Sequence, residues 1–194
     1  MTFFDYGILE NMKKLPIVES YWVEENRFLA GEYPGSYDAE TTRRRIDAFL
    51  EAGVTTFINL TREHELPPYE KILKEQAKLY GVIASHHRFA IRDHGVPSSD
   101  LMTSILDTMD DAIRNGGCVY VHCWGGVGRT GMVVGCHLVR RGMPNEQALK
   151  MVDQLYKTRP NNPYLSTSPE TEEQMQFVLN WWDEPKNNKT FCEG

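Results

Sequence analysis

No apolar run in the 194 residues approaches the ~20 that a membrane-spanning helix needs, which excludes a transmembrane span. The N-terminal stretch MTFFDYGILENMKKLP lacks a basic segment leading into an apolar core and a small-residue cleavage site, so no secretory signal is read and a cytoplasmic location is expected. Cysteine is scarce. Cys118, Cys123, Cys136 and Cys192 have neither the paired spacing of a zinc ribbon nor that of a disulfide framework, which fits a reducing compartment. Positive charge is also in short supply: with 21 Lys and Arg against 27 Asp and Glu, the chain lacks the basic surplus that phosphate-backbone binding requires, and nucleic acid is not an expected partner. The one dense basic run, Arg43-Arg44-Arg45, falls in a predicted helix and reads as a solvated face. Internal repeats and low-complexity tracts are absent, which excludes solenoids and flexible arrays.

What is present suits one globular domain over residues 1–194, with 1–27 as an N-terminal extension and 185–194 as a polar, frayed tail. Strand and helix patterns alternate. RFLAGEYPG reads as a short strand ended by a Pro-Gly turn, SYDAETTRRRIDAFLEAG as a helix closed by Gly53, and VTTFINL as a β-branched strand. A helix over PYEKILKEQAKLYG and a strand over VIASHHRFAI follow. The next helix, in SSDLMTSILDTMDDAIRNGG, places Met102, Ile105, Leu106, Met109 and Ile113 on one face. CVYVH is then a buried strand, and helices are expected from Gly128, over NEQALKMVDQLYKTR, and from Ser168 as N-cap with Pro169 in the first turn. In that last helix Met175, Val178, Leu179 and Trp182 form the expected buried face. The alternation predicts an α/β fold with a central mixed, mostly parallel sheet flanked by helices.

The stretch VYVHCWGGVGRTG carries the chemistry. A strand delivers Cys123 to the point where a helix begins, so the backbone N–H groups of the intervening turn have no intrahelical partner and can converge on an anion. Trp124, Gly125, Gly126, Val127 and Gly128 are therefore the candidate phosphate-binding loop, its glycines keeping side chains off the bound group. Arg129 closes the ring with a fork that matches two phosphate oxygens, a geometry that lysine lacks. Helix N-termini and neighbouring cations lower a thiol pKa from ~8.5 to ~3.5–7.5, which makes Cys123 a candidate nucleophile. The hydroxyl of Thr130 is placed to donate to that sulfur.

This sequence, His-Cys-x5-Arg-Thr at a strand-to-helix junction, resembles the active-site motif of the cysteine-based protein tyrosine phosphatase superfamily. The resemblance implies a general acid on a loop some thirty residues before the nucleophile, and Asp93 in FAIRDHGVPSS stands there. The Trp-Pro pair of the phosphotyrosine-specific branch is missing, and IRD is similar to the shorter acid loop of the dual-specificity branch. SPETEEQMQFV resembles the helix whose glutamine positions the attacking water, with Gln174 as the matching residue. His122 matches the residue that braces the loop backbone. Resemblance in motif order covers residues 54 to 182; before that, RFLAGEYPG resembles the opening strand of bacterial and cell-cycle-type members.

The implied activity is hydrolysis of phosphotyrosine, and of phosphoserine or phosphothreonine, on a protein or peptide through a phosphocysteine intermediate, with no cofactor and no metal. His64, His86, His87 and His94 lack the spacing of a metal site. Two other readings keep the loop: an inositol phosphate or phosphoinositide phosphatase, disfavoured because WGGVG holds no lysine, and a phosphoprotein-binding pseudophosphatase, disfavoured because Cys123, Arg129 and Asp93 are all intact. A rhodanese-like sulfurtransferase would have no use for Asp93. Tyr33, Tyr37 and Tyr69 are candidates to flank a substrate ring, and Cys118 or Cys136 to act as a resolving thiol.

Overall fold

A computed structural model describes residues 15–160 and 167–182, so the expected tail at 185–194 lies outside the described residues. Its strands are β1 (Ser20–Glu24), β2 (Phe28–Gly31), β3 (Val54–Asn59), β4 (Ser85–Arg88) and β5 (Cys118–His122). They form one sheet in the order β1-β2-β5-β3-β4, with β1 antiparallel to β2 and the other pairings parallel. The mixed, mostly parallel sheet read from the sequence is thus the fold. Residues 20–24, assigned above to an N-terminal extension, instead form the edge strand β1. The strand expected over VIASHHRFAI is confined to Ser85–Arg88, although Phe89 and Ile91 still donate to the Asn59 and Leu60 carbonyls.

The helices are α1 (Ala39–Glu51), α2 (Glu70–Leu79), α3 (Ser99–Arg114), α4 (Gly128–Arg140), α5 (Asn145–Lys157) and α6 (Glu172–Leu179). Asp38 and Ser98 cap α1 and α3 by accepting from the N–H groups of Thr41 and Leu101. The chain steps from β2 through α1, β3 and α2 to β4, then turns back through α3 to insert β5 in the middle. A parallel crossover keeps one hand, so reversing direction moves the connecting helix to the other face. Accordingly one core cluster joins Ile46, Phe49 and Leu73 of α1 and α2 to Tyr120, while the other joins Met102, Leu106, Val133, Val152 and Val178 to Val119 and Val121. A crevice opens beyond the C-terminal end of β5, where the strand order reverses.

Two local expectations change. Thr171, not Ser168, caps α6, and its partner in a capping box is Gln174; Ser168 is drawn away because its hydroxyl donates to the Val127 carbonyl at 2.8 Å. Since α6 ends at Leu179, Trp182 lies past the helical repeat and is exposed, and Trp181 takes the buried place.

Candidate active site

Side chains alternate across β5, so Val119, Val121 and Cys123 face the α3–α6 cluster while Tyr120 and His122 face α1 and α2. Period two therefore separates the candidate nucleophile from the histidine beside it. After Cys123 the loop turns on Gly126, whose φ is +71° and whose missing Cβ would lie 2.3 Å from the Gly31 carbonyl carbon. The loop carbonyls are bound on the outside. His122 O accepts from Leu60 N–H at 2.9 Å, Trp124 O from Tyr33 N–H at 2.8 Å, and Gly125 O from the Arg159 guanidinium at 3.0 Å. Val127 O accepts from Ser168 Oγ. With these carbonyls tied to the scaffold, the loop N–H groups and the N-terminus of α4 are left to the cavity side.

That cavity, about 220 Å³, is lined by Cys123, Trp124, Gly125, Val127, Gly128 and Arg129 from the loop and by Asp93, His94 and Glu170 from neighbouring segments. Cys123 and Arg129 are both buried beneath its rim. Glu65 grips the arginine bidentately, Oε1 accepting from Nη2 at 2.7 Å and Oε2 from Nη1 at 3.1 Å. Nη1 also donates to the Ile91 carbonyl at 3.2 Å, and Nη2 meets Asp93 Oδ1 at 2.9 Å. Burial pulls the guanidinium pKa down, but the Glu65 hydrogen bonds and the charges around it outweigh that and raise it. Burial pushes the Glu65 carboxyl up, yet the bonds from Arg129 and the Arg62 N–H hold it below its ordinary value.

His122 is fully buried, and desolvation pushes it down to about 3. The neutral ring bridges: Nδ1–H donates to the Cys123 carbonyl at 3.3 Å and Nε2 accepts from Tyr69 Oη at 2.7 Å. Thr130 Oγ1 is buried and makes no hydrogen bond, to the Cys123 sulfur or otherwise. The Gln174 amide is taken up by the Glu170 and Thr171 N–H groups and by the Gly95 carbonyl at 3.3 Å, two residues after Asp93. It thereby ties α6 to the acid loop. His94, in left-handed backbone at φ +57°, stands 3.6 Å from Asp93 and 3.7 Å from Glu170.

The structure brings Cys123, Trp124, Arg129 and Asp93 to one cavity and turns other candidates elsewhere. Tyr33 and Tyr69 are buried, one donating to Pro67 O and the other to His122, so neither flanks a ligand. Cys118 is five residues back along β5, and Cys136 is eight residues into α4. A rise of ~3.3 Å per residue places Cys118 far beyond the ~7 Å Cα limit for a disulfide with Cys123. Gly131 and Gly135 of α4 leave room for Ser168–Pro169 and for Val178. Sequence reading missed Glu65 and Arg159. A buried arginine requires a carboxylate partner, and Glu65 follows β3 at the same end of the sheet, so that requirement was the available signal.

Among known families, one described as "Polymorphic toxin system, DSP-PTPase phosphatase" matches residues 33–143, more than half of the chain. The chain is 33% identical over 129 residues to protein tyrosine phosphatase domain-containing protein 1 of Mus musculus, covering 63% of this chain and 17% of that protein. It is 25% identical over 144 residues to the dual specificity protein phosphatase CDC14B of the same organism, covering 71% and 27%. It spans less than a third of the length of these curated relatives. Among solved structures, the active form of Tk-PTP is similar with a TM-score of 0.63 and 26% identity, over 83% of this chain and 93% of that one.

Proposed function

Because the chain belongs to the DSP-PTPase phosphatases, in the dual-specificity-like branch of the cysteine-based protein tyrosine phosphatase superfamily, we propose that it hydrolyses phosphomonoesters on proteins or peptides through a phosphocysteine intermediate. The carrying observation is the meeting of the Cys123 thiol, the clamped Arg129 guanidinium and the Asp93 carboxyl in one 220 Å³ cavity. In this reading the Cys123 sulfur attacks phosphorus, and the bond from phosphorus to the leaving oxygen breaks. Arg129 and the N–H groups of residues 124–128 hold the equatorial oxygens. Asp93 gives its proton to the leaving oxygen, then takes one from the water that releases phosphate from sulfur. Gln174 holds the acid loop through Gly95, and His122 keeps the loop carbonyl of Cys123 in place.

Electrostatics of the wall favour a phosphoprotein over an inositol polyphosphate. Arg129 faces two carboxylates there, Asp93 and Glu170, and no lysine lines the cavity among the described residues. The reading takes the chain as a single catalytic domain in a cytoplasmic setting, in keeping with a sequence whose few cysteines have no disulfide-framework spacing. The test is phosphate release from matched phosphotyrosine, phosphoserine and phosphothreonine peptides and an inositol phosphate, with EDTA present. Metal-independent turnover of the peptides that vanishes in Cys123→Ser is expected; turnover that survives the substitution would sink the mechanism.

A further inference from the structure

Trp124 directly follows the nucleophile, yet its side chain is 56% exposed. A single exposed tryptophan is ordinary on a protein surface. This one lines the cavity that holds Cys123, and its backbone has little freedom to move away. The carbonyls of Cys123, Trp124 and Gly125 are bound in turn by His122, the Tyr33 N–H and Arg159. The indole is thus carried at the cavity by a backbone that is held on its outer side.

The other long side chains that rise around the floor are Asp93, His94 and Glu170, all polar. A ligand whose phosphoryl group sits over Cys123 and Arg129 therefore meets, besides the small Val127 of the loop itself, one bulky apolar residue, Trp124. An aryl phosphate carries a ring between its phosphoryl oxygen and the rest of the ligand, at the height of this wall. A seryl phosphate carries a single methylene there, followed by polar backbone. Only the first can use the indole. We propose that Trp124 is a specificity-determining residue that favours aryl phosphomonoesters, phosphotyrosine among them, by ring contact with the leaving group. The inference rests on the cavity being the phosphoryl site proposed above.

Binding and turnover test it separately. In a Cys123→Ser background, calorimetry compares phenyl phosphate with inorganic phosphate. An aromatic pair is worth ~0.5–1.5 kcal/mol beyond its buried area, so adding Trp124→Ala should shrink the preference for phenyl phosphate by roughly three- to tenfold, and Trp124→Phe should retain most of it. In the active chain, the ratio of kcat/KM for phosphotyrosine over phosphoserine in matched peptides should fall by a similar factor in Trp124→Ala and recover in Trp124→Phe. Ratios that Trp124→Ala leaves unchanged would overturn the proposal. A chain that turns over neither peptide, but whose Cys123→Ser form prefers phenyl phosphate through Trp124, would overturn the proposed reaction and support this inference.

Discussion

Arg129 has five N–H donors, and four are engaged: both on Nη1, by Glu65 and the Ile91 carbonyl, and both on Nη2, by Glu65 and Asp93. A phosphoryl group bound by the guanidinium fork needs two. Glu65 and Ile91 hold the inner side, so the bound group takes Nε–H and displaces Asp93 from Nη2. On the proposed mechanism, substrate entry moves Asp93 from the arginine toward the leaving oxygen it is to protonate. Asp93 is half-exposed, and an ion pair so placed is worth up to about 1 kcal/mol. Asp93→Asn should accordingly bind inorganic phosphate up to about fivefold more tightly, while turnover of an alkyl phosphate falls by ~10²–10⁴, the range for a lost general acid. Phosphate affinity that does not rise would place Asp93 away from Arg129 in solution.

Between residue and fold stands the unit of β5, loop and α4. The strand ends where the loop carbonyls find partners on other elements, and the helix begins with its N–H groups unclaimed. Gly126 makes this turn possible: an L side chain in left-handed backbone costs about 1–2 kcal/mol, and here its Cβ would also strike the backbone of Gly31. Gly126→Ala should lower the unfolding free energy in urea by at least about 2 kcal/mol and abolish phosphate binding, since the loop has to move off β2 to admit a methyl group. A midpoint equal to that of the unmodified chain would mean the loop relaxes freely. The capping box of α6 works at the same scale: one glutamine closes the helix N-terminus and reaches Gly95, so helix and acid loop share a residue.

For the molecule as a whole, three buried or half-buried histidines make stability depend on pH. Burial lowers His122 to about 3 and lowers His137 and His86 as well, the latter two against the pull of Glu24 and Glu70. Each folded-state pKa lies below the unfolded value near 6.5, so between the two the unfolded chain binds a proton that the fold refuses. The histidines' contribution is complete above about pH 7 and is lost as pH falls through 6.5 toward 3. His122 alone contributes a slope of about 1 kcal/mol per pH unit in that window. Urea unfolding between pH 7.5 and 4.5 should show this decline, and His122→Gln should flatten it; an unchanged slope in the variant would assign the effect to other groups.

Much of the site was legible because it is local. Cys123, the glycine turn and Arg129 lie within seven residues, where strand period, helix start and glycine placement speak for themselves. The helices α1 to α5 and the central strand announced themselves through apolar periodicity in the same way. Less legible was whatever depends on which element lies beside which. Tyr33 and Tyr69 looked like substrate contacts until the packing of α1 and α2 buried them, and Ser168 looked like a cap until the Val127 carbonyl claimed it. By itself the sequence determined the proposed nucleophile, the glycine turn ahead of α4 and the alternation of strands and helices, because these follow from neighbours along the chain. The tertiary structure alone decided that Glu65 holds Arg129 across 64 residues, that Arg159 and Ser168 pin the loop across 34 and 41, and that Asp93 rests on the arginine. Those partners meet only because β5 enters the sheet last, between strands laid down long before it, and their side chains converge where its C-terminal end opens the crevice.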